Sequence, residues 1–275
     1  LLVNTSLATA EQGAVSALGY AFRLMYMPIG IFGVSIATAA IPDLARHAAS
    51  PGYADMRATL SWSLRLMLML TVPATVGLMV IAWPIVELIF QHGEFGPSDT
   101  EKVAGALLFY APAITGYSIV KIAGGSFYAL QEARTPVVVS VISIVANLIL
   151  NLALNAVMGF RGLALGTAIA ANLNAGLLVM LLARRIGGID GGRISRTLGK
   201  ILLASAVMGV ATFFAEDWLA GYFASSRLID RVVRVGGAIT VGLATLALAA
   251  WALGIQEFRA AMSRVLGRST RPLSP

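Results

Sequence analysis

Two cations stand inside apolar runs of this chain. Arg23 lies in YAFRLMYMPIGIFG and Lys121 in GYSIVKIAGGSFYAL. A charge at membrane depth is costly and normally faces a partner or a wet cavity. A guanidinium can also grip phosphate with two parallel hydrogen bonds. Both residues are therefore candidates for binding an anionic group, a diphosphate above all. Arg23 sits close enough to a helix end that snorkelling to the interface is an equal reading. Lys121 is too deep to snorkel; its other reading is a structural charge satisfied between helices. Arg65, at the start of another apolar run, is expected to snorkel.

Pro28, Gly30 and Gly33 follow Arg23 on the same segment. Proline removes a backbone donor and glycine admits close neighbours, so the three are candidate hinge residues or ordinary packing residues. Asn147, Asn151 and Asn155 recur every four residues and share a helical face, with Thr167, Asn172 and Asn174 in the next run. Such oxygens can ligate a hard cation or bond helix to helix. The absence of a carboxylate among them favours helix-to-helix bonding. Otherwise the chemical inventory is thin. His47 and His92 fall in separate loops, there are no cysteines, and no paired carboxylates lie within a run. The chain reads as a non-enzyme with no cofactor and no confident metal site.

The elements that position these groups follow from composition. Hydrophobic residues make up 58% of the 275 and charged residues 12%, and mean hydropathy is +0.82. An average soluble domain carries about 25% charged residues, so a polar surface cannot be built from this chain. Runs of roughly 20 apolar residues suit membrane helices. Seven full spans are expected, at about 20–41, 64–90, 103–130, 137–157, 163–182, 201–219 and 232–253. Residues 1–9 read as the tail of an earlier helix, and the chain as truncated at its N-terminus. Residues 10–18, 42–61 and 183–200 are expected as loops, and 159–162 as a minimal hairpin. Every span must be helical, because a sheet edge in lipid leaves unpaired backbone groups.

Net charge is +7, but the basic residues sit between apolar runs, as orientation signals do, and no nucleic-acid motif is present. One alternate set of loops holds Arg46, Arg57, Arg134, Arg184, Arg185, Arg193, Arg196, Lys200, Arg259, Arg264, Arg268 and Arg271. The other holds Lys102, Arg161, Arg227, Arg231 and Arg234. The richer set, with the C-terminus, is expected in the cytoplasm.

Several stretches resemble the MurJ/MviN family of lipid flippases. They are YAFRLMYMPIGIFGVSIATAAIPDLAR, VPATVGLMVIAWPIVELIFQHGEF, VKIAGGSFYALQEARTP and NLILNLALNAVMGFRGLALGTAIAANLNAGLL. The resemblance is strong over 1–185 and rests on hydropathy beyond. It implies an all-α polytopic fold of the multidrug/oligosaccharidyl-lipid/polysaccharide exporter type, with fourteen helices in two lobes. This chain would supply the end of helix seven through helix twelve (1–185), the last two helices with a groove for a lipid tail (186–255), and a basic tail (256–275). The missing N-terminal lobe would be its partner. The resemblance further implies alternating access in the bacterial inner membrane, moving lipid-linked peptidoglycan precursor (lipid II) to the outer leaflet. Arg23 and Lys121 match the family's cavity cations. Sodium-binding members place ligands at positions matching Asn4, Asn147, Asn151 and Thr167. The first and third of these are acidic there but amides here, which counts against sodium and leaves the membrane potential as the other drive. Phe22 stands where many members carry an acid. The alternatives are an exporter of another polyprenyl-diphosphate-linked cargo and a non-transporting membrane scaffold.

Overall fold

A computed structural model describes residues 13–223 and 227–265, apart from the side chains of 261 and 263–265. The described chain is helical, with no strand. The first rod is α1 (Ala14–Pro28), a π-helical stretch (Ile29–Val34) and α2 (Ser35–Ala48), continuous over 35 residues. Next come α3 (Ala54–Val80) and the short α4 (Ala82–Phe90). A bent pair follows, α5 (Pro97–Tyr110) and α6 (Ala113–Ala129). Then α7 (Arg134–Met158), α8 (Phe160–Arg185), α9 (Gly191–Tyr222) and α10 (Leu228–Ala252) each cross. A last helix, α11 (Gln256–Val265), ends the described part. Six helices are long and apolar enough to span a bilayer, and the bent pair makes seven. The chain is a multi-pass membrane protein.

The helices overrun several expected loops. α1 begins at Ala14 rather than near 20, and the first rod continues through Pro42 to Ala48. Only 49–53 separates it from α3, a single residue, Gly159, separates α7 from α8, and α9 takes in 191–200. The reason is general: interfacial turns of a membrane helix are polar yet keep their backbone bonds, so hydropathy underestimates helix length. The tail also holds a helix, α11, which hydropathy could not flag because it is amphipathic and mostly polar.

Prolines shape the rods. Pro112 lies at the 44° break between α5 and α6. Two carbonyls at the break also accept from side chains. Thr75 of α3 donates to the Ala111 oxygen at 3.4 Å, and Asn172 of α8 donates to the Pro112 oxygen at 2.9 Å. This is how a broken membrane helix satisfies its backbone. After Pro28 the chain widens into the π stretch.

Small residues set the closest crossings. A Cβ on Gly116 of α6 would lie 2.8 Å from the Ala171 carbonyl of α8. Backbone cannot step aside as a side-chain tip can. Gly116→Ala is therefore expected to lower stability by about 1–3 kcal/mol, the usual cost of overpacking. A melting curve in detergent checks this, and an unchanged melting temperature would mean the crossing has slack.

Candidate functional site

The first rod carries an exposed stripe of unusual character for a membrane helix. Ser16, Gly19, Arg23, Tyr26 and Gly30 are exposed at steps of three and four, so they share one face. Past Gly30 the stripe resumes at Ser35, Thr38 and Pro42. The step from 30 to 35 is five residues. That is the slip a π turn introduces, and it keeps the polar face in line while Gly33 and Ala37 turn inward. Pro28, Gly30 and Gly33 thus all lie at or within the π stretch. Gly33 abuts Ser118 of α6, where a Cβ would come within 2.8 Å of the hydroxyl.

Other exposed faces differ. α7 shows Val138, Val141, Ile142, Val145 and Ile149, and α9 and α10 show a similar aliphatic and aromatic surface. Such faces suit lipid tails. A face of glycine, serine, threonine and arginine suits water.

Arg23 is exposed on that stripe, its guanidinium 5.8 Å from the Tyr20 ring centroid. Among the described residues no carboxylate pairs with it. Lys121 is half-buried on α6 and likewise has no acidic partner among the described residues. The first rod and α6 run parallel, since Gly33 faces Ser118 and Ile41 faces Gly125. Tyr26 and Tyr117 meet with ring centroids 6.0 Å apart. Arg23 lies one turn before Tyr26 and Lys121 one turn after Tyr117, and in the register of the Gly33–Ser118 and Ile41–Gly125 contacts about 20 Å of depth separates them at 1.5 Å per residue. The two cations flank one aromatic contact on the open side of the bundle.

A hollow of about 320 Å³ lies beside them, lined by Phe22, Tyr117, Ser143, Asn147, Thr167 and Asn174 among others. The structure brings three of the four sequence-derived cation-site positions together, with Asn147 and Thr167 at its wall and Asn151 buried behind them. Asn147 donates to the Thr167 hydroxyl at 3.4 Å, and the fully buried Asn151 donates to the Asn147 oxygen at 3.1 Å. Gly166 leaves room for Asn151, whose oxygen would lie 2.3 Å from a Cβ there. Asn4 lies outside the described residues.

A second hollow, about 270 Å³ and almost wholly apolar, opens on another side of the first rod. Pro28 and Phe32 close one edge, Leu70, Pro73 and Gly77 of α3 form its floor, and Ile239, Leu243 and Leu246 of α10 its far wall.

Sequence reasoning missed the charges that hold α9–α11 in place. Arg65 does not snorkel. It is buried, with Nε 2.9 Å from the Glu257 carboxylate of α11, and both side chains are under a tenth exposed. The N–H points off the line to the oxygen, so the attraction is chiefly ionic. Several basic residues expected as orientation signals also cap helix ends. Arg57 donates to the Ile186 and Gly187 carbonyls past α8, and Lys200 to the Leu253 carbonyl past α10. The signal available beforehand was the amphipathic period of QEFRAAMSRV, with one acid on its apolar side.

Comparison with known proteins bears on what this architecture is. The family model described as lipid II flippase MurJ matches residues 1–233. The chain belongs to the MurJ family. A probable lipid II flippase MurJ of Rhizobium meliloti is 33% identical over 92% of this chain and 48% of its own length. One from Vibrio cholerae is 33% identical over 93% of this chain and 49% of its own. The chain thus spans about half the length of the curated relatives it matches. Its fold is that of a solved lipid II flippase MurJ in an inward closed conformation, with a TM-score of 0.74 at 23% identity over 97% of this chain and 51% of that one. A transporter of the MOP superfamily from Pyrococcus furiosus shares the fold less closely, with a TM-score of 0.58 at 14% identity.

Proposed function

We propose that the complete protein flips lipid II from the inner to the outer leaflet of the bacterial inner membrane, with this chain as one lobe. The observation that carries the reading is the two-sided first rod. One face offers Arg23 among small polar residues, beside Lys121. Another edge of the same rod, at Pro28 and Phe32, closes an apolar groove. A lipid-linked diphosphate needs both, a wet cationic path for its headgroup and a dry slot for its tail. The relatives named above are flippases of lipid II, which has this chemistry. The partner lobe, N-terminal to this one, would close the open side on which Arg23 and Lys121 stand. Residues 1–185 act as the headgroup-binding core, and the hairpin α9–α10 within 186–255 as the wall of the tail slot.

In this reading the C-terminal end of the bundle is cytoplasmic, and the Gln91–Thr100 loop lies outside. The trio Asn147, Asn151 and Thr167 bonds α7 to α8. A sodium ion there would meet only neutral oxygens among the described residues, so the membrane potential is the favoured drive. No enzymatic step is required of the chain.

The test is translocation itself. Full-length protein in proteoliposomes should move fluorescent lipid II to the leaflet reached by an impermeant quencher. It should also leave a neutral polyprenol in place. Equal movement of both, or of neither, would contradict the reading.

A further inference from the structure

We infer that Glu87 is a positioning residue for the apolar groove: with Arg231, Arg234 and Glu216 it forms a charge clasp that sets the width of the outer mouth. The inference rests on the reading of that groove as the slot for a lipid tail. α10 packs along α9, but its contact with the core is concentrated on the short helix α4. At that point Arg231 Nε lies 3.5 Å from one Glu87 oxygen, and Arg234 lies 3.7 Å from the other. Arg234 Nε also reaches Glu216 of α9 at 2.6 Å. Arg231 donates as well to the Gln91 carbonyl at 3.2 Å, beyond the end of α4. The four side chains are under a fifth exposed. Such pairs are screened less than those in bulk water and hold a defined geometry.

The clasp is adjacent to the groove through both chains. Ile85, on the groove wall, is two residues from Glu87 on α4, and Ile239 lies five residues beyond Arg234 on α10. Deeper in the membrane the two walls face each other across apolar space, with Met208 and Thr212 of α9 between them. At the inner end α10 continues into α11, which Arg65 and Glu257 fasten to α3. α10 is thus tied to the core at both ends and packs along α9 between them. Releasing the outer clasp should let it swing about the inner anchor.

The experiment uses the full-length protein with any cysteines of the other half removed, since this half has none. Spin labels at Ile85→Cys and Ile239→Cys report the outer mouth, and labels at Leu70→Cys and Leu246→Cys report the inner end. In Glu87→Gln/Glu216→Gln the outer distance should lengthen or its distribution should broaden at least twofold. The inner distance should keep its value. A merely structural role would move both pairs or neither, and an unchanged outer pair overturns the inference. If that variant does not accumulate, Arg231→Gln/Arg234→Gln breaks the clasp from the other side and carries the same expectation. The distances need no cargo. A widened mouth with undisturbed lipid II transport would therefore support the clasp and count against the tail-slot reading instead.

Discussion

Arg23→Ala in the full-length protein is expected to abolish lipid II translocation while leaving the fold intact. Arg23 is exposed and touches only the Tyr20 ring among its noted contacts, so little stability is lost with it. On the function proposed above, its removal would take away a bidentate, charge-assisted grip on phosphate. A hydrogen bond to a charged group contributes about 1.5–3 kcal/mol. Two such bonds correspond to a loss of headgroup affinity of about a hundredfold or more. Arg23→Lys keeps the charge but loses the fork, and should fall between the two. The measurements are complementation of a flippase-depleted strain and quencher-accessible lipid II in proteoliposomes, each at matched protein level. A fully active Arg23→Ala protein would leave the polar stripe without its purpose. Lys121→Ala is expected to act in the same direction, because Lys121 stands on the helix packed along the same rod.

Glu257→Ala should damage the protein in a different way, by unfolding it. The mutation strands the Arg65 guanidinium in a site where it is only 7% exposed. Breaking one side of a buried pair typically costs about 3–5 kcal/mol, because the remaining charge has lost both water and partner. The expected result is a sharply lowered melting temperature in detergent and poor accumulation in membranes. The double variant Arg65→Met/Glu257→Leu removes both charges and should recover most of that loss, since apolar pairs of similar size often equal or exceed buried ion pairs in stability. A single variant as stable as the parent would show that α11 does not hold the C-terminal end of α10. A double variant as unstable as the single would show that the pair contributes more than mutual neutralisation.

The difference between these two arginines shows where sequence reasoning reached and where it stopped. Arg23 and Arg65 both sit near the ends of apolar runs, and the same snorkelling argument applies to each. One faces a polar stripe and the other is locked to an acid almost two hundred positions away in the chain. Hydropathy along a single segment carries no information about a partner so distant, and α11 is too polar to register as part of a membrane core. The charge clasp at Glu87 escaped notice for the same reason. Its members come from α4, α9 and α10, and each one alone looks like an interfacial residue.

What the residues determined by themselves was the class of fold. Fifty-eight per cent hydrophobic residues in seven long runs admit only membrane helices, because lipid offers no partner for an open backbone. The four-residue spacing of Asn147 and Asn151 likewise put them on one face, and they do bond together with Thr167. Tertiary structure alone decided which faces meet. The π turn after Pro28 moves the polar stripe by one residue, so that Ser35 and Thr38 continue the line of Arg23. The groove lies where α9 stands between α10 and α3. Periodicity within a helix is a local property of one segment. The rotation of that helix against its neighbours is set by backbone bonds, glycine crossings and ion pairs made between segments.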